Sequence, residues 1–226
     1  MLKSGISRPA DTNFLKRHCA ALAAAISKPD QMRNSALVVV DMLYDFIDGS
    51  LACQNAENAV RETLKYIDSQ TRGQSGEEHE ILDTYPILFV RDHHPADHSS
   101  FKEQGGIWPP HCIAGTRGGD IHKDLLPYVK EELTFDKGCD KAVEQYSDYE
   151  GVNAAEQSLE EILQLLDTTD VYVCGIATEY CVRNTCEDLL KGGFRVHLQK
   201  DCIGYVEHEG HMKALAEMAS EGISIE

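Results

Sequence analysis

Three short runs in this chain, residues 36–40 (ALVVV), 86–90 (PILFV) and 171–174 (VYVC), are apolar, β-branched or aromatic throughout. A strand with one wet face alternates polar and apolar residues; a strand buried on both faces of a parallel sheet does not. Further strands are expected at 132–135 and 194–198, with a short sixth at 223–225. Helical spacing occupies 56–67, 159–166, 178 to about 192, and 207–218. The alternation predicts a doubly wound α/β fold: a mainly parallel sheet of about six strands with helices on both faces.

At 226 residues one such domain is the expectation, at 35–226, preceded by a helical extension over 1–34. Within that extension a helix is expected from about 11 to 27, capped by Asp11 or Thr12. Its six Lys/Arg against two Asp mildly resemble a transit peptide, and an alanine-rich helix equally suits packing on a domain or partner. Residues 71–85 read as a polar loop with a short helical piece. The formal net charge of −17 opposes nucleic acid and anionic membrane surfaces, and no apolar run approaches spanning length. A small neutral or cationic substrate fits better. The eight cysteines form no CxxC pair, which predicts reduced thiols and a cytoplasmic setting.

In a sheet of this kind ligands bind beyond the carboxyl ends of the strands. Asp41, Asp92, Lys137 and Cys181 each follow a predicted strand closely. Cys181 falls on the first turn of a helix, where backbone N–H groups and the helix dipole favour thiolate and a developing oxyanion. Taken singly, it reads first as a small buried core residue, and Asp41 equally as a polar strand end. Together, a carboxylate that takes and returns a proton, a lysine that keeps it ionised and a thiol make a competent set for acyl transfer.

The stretch 93–119 has no long periodic element but is rich in His, Pro and Gly, as the wall of a site would be. Four of the ten histidines, His93, His94, His98 and His111, crowd a segment of about twenty residues where even scatter would place about one. Asp92 and His94 alternate along an extended stretch and point one way, His93 points the other, and His111 could complete a three-ligand metal site. An exposed polar loop with surplus histidines is the competing reading, and His98 is left as an additional ligand, a neighbour of the ligands, or neither. Phe46, Tyr146 and Trp108, the one tryptophan, could wall a pocket for a flat ring.

With VVVDMLYDFIDGSL, RDHHPADHSSF, IWPPHCIAGTRG, FDKG, QYSDYEG and GIATEYCV in this order, residues 36–205 resemble the nicotinamidases of the isochorismatase-like cysteine hydrolase superfamily. The resemblance implies a catalytic triad at Asp41, Lys137 and Cys181, and metal ligands at Asp92, His94 and His111, with His98 variable. It implies ring contacts at Phe46, Trp108 and Tyr146, and a cis peptide at Ile176–Ala177 that aims the Ala177 and Cys181 N–H groups into an oxyanion hole. It further implies one divalent metal, zinc foremost with iron or manganese also suitable, and conversion of nicotinamide to nicotinate and ammonia in NAD salvage. A homo-oligomer is left open. Another small-amide or carbamoyl hydrolase of the superfamily is the runner-up, and a silent metal-binding module is a more distant one. The chain departs from the family at Leu43 and Tyr44, where Gln-Asn is common and pocket polarity comes into question, and at Glu179, where Asp is usual.

Overall fold

The computed structural model describes residues 34–71, 86–147, 149 and 151–226. The expected helix at 11–27, the targeting reading of the extension and nearly all of the loop at 71–85 lie outside the described residues.

The apolar runs form the sheet. In chain order the elements are β1 (Ser35–Val40), α1 (Tyr44–Ile47), α2 (Ala56–Thr71), β2 (Ile87–Asp92), β3 (Thr134–Lys137), α3 (Leu159–Leu165), β4 (Asp170–Gly175), α4 (Arg183–Lys191), β5 (Arg195–Ile203), α5 (His208–Glu221) and β6 (Ser224–Ile225). The six strands lie in the order β3-β2-β1-β4-β5-β6, every pair parallel. The order reverses between β1 and β4, which places the switch point at the ends that carry Asp41 and the Cys181 turn.

Alternate residues of β1 feed two cores. Ala36, Val38 and Val40 join Leu159, Ile162, Val182, Leu189 and Met218 beneath α3, α4 and α5. Leu37 and Val39 join Ala59, Val60, Ile67 and Phe89 on the face covered by α2. Helices therefore cover both faces, as expected.

Several boundaries differ. α2 continues to Thr71 because no Gly or Pro interrupts 56–71, although Ile67 is its last deeply buried residue. β3 begins after a 3-10 turn at Glu131–Leu133 and includes Lys137, since its pairing with β2 runs from Thr134 to Lys137. β5 extends through the polar residues Gln199 to Asp201, where apolar patterning gives no strand signal, and its pairing with β4 shifts register between Val173 and Gly175. Gly175 adopts φ 134°, and a Cβ there would lie 2.0 Å from the Val40 carbonyl oxygen, so only glycine lets the two strand ends approach.

Candidate active site and metal centre

Asp41 leaves β1 in the left-handed region, φ 49°, which aspartate tolerates better than most residues and which recurs where side chains are aimed for function. Its Oδ1 accepts from the Asp92 backbone N–H at 2.8 Å, and its Oδ2 lies 2.9 Å from Lys137 Nζ. Cys181 Sγ lies within 4.8 Å of the same carboxylate. Lys137 Nζ also donates to Asp92 Oδ1 and stands 3.6 Å from Cys181 Sγ. All four side chains are buried, and the strand ends thus bring together the four residues singled out from sequence. Burial and the neighbouring Asp92 push Asp41 up to about 6 against the pull of Lys137. Burial would raise Asp92 as well, but Lys137 and His94 outweigh it and hold that carboxyl below its usual range.

Cys181 sits on a π-helical turn, Thr178–Val182, instead of the first turn of an α-helix. The Val182 N–H reaches back five residues to the Ala177 carbonyl at 3.2 Å, so the turn is one residue wider than α and regular helix begins only at Arg183. Such single π-turns often mark functional sites. The Ile176–Ala177 peptide is cis, as expected.

Asp92, His94 and His111 gather with one ligand atom each, all within 4.8 Å of one another and all buried. Asp92 Oδ2 is 3.4 Å from His94 Nε2 and 4.0 Å from His111 Nε2. His94 Nδ1 faces the Gly138 carbonyl at 3.0 Å, and His111 Nδ1 faces that of Pro109 at 2.8 Å. A carbonyl can only accept, so each Nδ1 carries a proton, and each Nε2 is turned toward Asp92, where once unprotonated it could give its lone pair to a cation. This is the tautomer pair that a divalent cation requires, and the residues fit one. Gly138 is needed for it: φ is 65°, and a Cβ would come within 2.4 Å of the His94 ring.

The other histidines separate cleanly. His93 turns away toward Asp136, as alternation predicted. His98 stacks on His94 at 4.2 Å between centroids. Its Nε2–H donates to the Val143 carbonyl at 3.1 Å, and its Nδ1 takes the Ser100 hydroxyl at 2.7 Å. With both nitrogens engaged, it packs against His94 and leaves no lone pair free.

Beside Cys181 opens a cleft with about 400 Å³ of empty space, mouth included. Phe46, Trp108 and Tyr146 line it together with Asp92, His111 and Cys181. Trp108 Nε1–H donates to the Tyr146 hydroxyl at 3.0 Å. Sequence reasoning missed Tyr180, whose ring meets Trp108 edge-on at 5.1 Å; its place beside Cys181 was the available signal. It also missed Leu51, Cys53, Glu144, Gln145 and Val206 in the wall, for which spacing gives no sign. Asp45 was missed too: its carboxylate accepts from the Cys112 N–H at 2.8 Å, tying the His111 loop to α1. Leu43 and Tyr44 do not line the cleft. Leu43 is buried beside Ile121, and the Tyr44 ring lies under Arg117 at 3.9 Å in a separate groove, so neither changes pocket polarity.

The isochorismatase domain model matches residues 35–225. The chain belongs to the isochorismatase family. Among its relatives, a nicotinamidase/pyrazinamidase of Mycobacterium tuberculosis is 31% identical, over 84% of this chain and 97% of the relative. The structure of a pyrazinamidase of Pyrococcus horikoshii in complex with zinc is similar at TM-score 0.73 and 34% identity, covering 85% of this chain and 98% of that one. An L. infantum protein in complex with nicotinate matches at TM-score 0.69 and 27% identity, covering 86% and 93%. Among the described residues no helix is long and apolar enough to cross a membrane, and none of the seven cysteines among them is in a disulfide.

Proposed function

We propose that this isochorismatase-family protein is a nicotinamidase, a cysteine amidohydrolase that converts nicotinamide to nicotinate and ammonia in NAD salvage. The observation that carries the reading is the buried Asp41, Lys137 and Cys181 group opening onto an aromatic cleft that Asp92 and His111 also line.

Nicotinamide enters with its ring among Phe46, Trp108 and Tyr146. Asp41 accepts the Cys181 proton, and the thiolate attacks the carboxamide carbon. The N–H groups of Ala177 and Cys181 receive the oxyanion as the tetrahedral species forms. Ammonia departs with the proton that Asp41 returns, leaving a nicotinoyl thioester on Cys181. Asp41 then deprotonates water, which hydrolyses the thioester to nicotinate and restores the thiol. Lys137 keeps Asp41 anionic when it must act as base and favours thiolate at Cys181. Asp92, His94 and His111 would hold one divalent cation, zinc first among the candidates, which when bound supplies a coordination position for the pyridine nitrogen and so orients the ring.

Ammonia release from nicotinamide by metal-replete protein tests the reading. The wild-type chain should release it, chelation should suppress it, and Cys181→Ala should lose about 10⁴-fold or more in kcat. Turnover by Cys181→Ala at more than a few per cent of wild type would refute the thiol mechanism.

A further inference from the structure

The turn that carries Cys181 is held by its own π-helical hydrogen bonds and from outside as well. It is strapped to residues 204–207, which lead from β5 into α5. Thr178, fully buried, gives both its N–H and its hydroxyl to the Gly204 carbonyl, each at 2.9 Å. With the hydroxyl proton so used, His211 on α5 must donate from Nδ1 to Thr178 Oγ1, at 3.1 Å. Next in sequence, Glu179 reaches across the same gap. Its Oε1 accepts from the Val206 N–H at 3.0 Å and the Glu207 N–H at 2.7 Å.

Val206 is a wall of the cleft, and Glu207 is the cap residue of α5. One carboxylate oxygen therefore fixes the opposite side of the pocket against the turn bearing the thiol. The strap is itself anchored from behind, where Gln54 and Tyr205 exchange backbone hydrogen bonds at 2.7 and 3.0 Å and Gln54 Nε2 donates to the Val206 carbonyl at 3.1 Å. The other Glu179 oxygen, Oε2, is buried with no hydrogen-bond partner among the described residues, so what the side chain does for the site rests on Oε1.

We propose that Glu179 is a positioning residue for the hydrolysis: by accepting from Val206 and Glu207 it sets where Cys181 stands relative to Asp41, Lys137 and the pocket wall, without touching substrate. The inference rests on Cys181 as nucleophile. Small misplacements of a reacting group, made from outside the reaction centre, cost as much as about 100-fold in rate.

The test compares Glu179→Ala with Glu179→Gln in metal-replete, full-length protein, after melting curves establish that both fold. The amide of Gln keeps an oxygen able to accept from both N–H groups; Ala keeps none. Glu179→Ala should lower kcat for nicotinamide about tenfold or more with KM within about twofold of wild type, and Glu179→Gln should restore most of kcat. Alkylation of Cys181 by iodoacetamide, read by mass spectrometry against the other cysteines, should slow in Glu179→Ala in parallel with kcat and recover in Glu179→Gln. Unchanged kcat in Glu179→Ala, equal loss in both variants, or alkylation as fast as wild type would overturn the proposal. Should the wild-type chain fail to hydrolyse nicotinamide, the functional reading falls, and the alkylation comparison still decides the role of Glu179.

Discussion

The ends of β1 and β2 carry two carboxylates side by side, both buried, both paired with Lys137, yet with opposite surroundings. Asp41 faces the Cys181 thiol and Lys137; burial and the charge of Asp92 push it up to about 6. Asp92 faces Lys137 and the Nε2 atoms of His94 and His111, and Lys137 and His94 hold it low. Under the proposed function, two like groups on neighbouring strands thereby suit different work: the carboxylate pushed up can exchange a proton, and the one held low can stay an anion suited to a cation. The lesson is that chemistry here is assigned by what surrounds each strand end, since residue type and burial are the same.

The harshest way to break the comparison is to remove the cation the carboxylates share. Lys137→Met leaves both buried anions without it and should cost about 3–5 kcal/mol of stability, measured as a lower denaturation midpoint in metal-free protein. A change below about 1 kcal/mol would mean that the pair is not held by Lys137. Next, the ligand side can be separated from its neighbour. His94→Ala should weaken metal binding by about 100-fold or more, whereas His98→Ala, which removes only the stacked support, should weaken it by about tenfold; titration calorimetry with zinc distinguishes the two. Equal losses would make His98 a ligand. The smallest effect sharpens the proton side. With Asp41 pushed up to about 6 by burial and Asp92, alkylation of Cys181 in metal-free protein should fall as pH drops through that value. Asp92→Asn removes the charge that raises Asp41 and should move the fall to lower pH. A shift upward would reverse the assignment.

Much of this was legible in the chain before folding. The uninterrupted apolar runs at 36–40, 86–90 and 171–174 predicted strands because burial on both faces leaves no room for polar residues, and their ends located Asp41, Asp92 and the Cys181 turn. The alternation of Asp92, His93 and His94 predicted which two share a side. What stayed hidden depends on long-range contacts. β5 runs on through polar residues because it is paired, not because it is apolar; the π-turn at Thr178–Val182 depends on a backbone acceptor five residues back. Tyr180, Val206 and Asp45 matter through what they meet, and the His98 nitrogens are engaged by Ser100 and Val143. No local spacing encodes those partners.

The division of labour between the two carboxylates is tested most directly by Asp41→Asn, with bound metal and ammonia release from nicotinamide measured on the same preparation. The variant should bind one equivalent of metal as wild type does while kcat falls by about 10²–10⁴-fold. An Asp41→Asn protein that loses its metal, or one that hydrolyses nicotinamide at the wild-type rate, would contradict the assignment of Asp41 as the proton carrier.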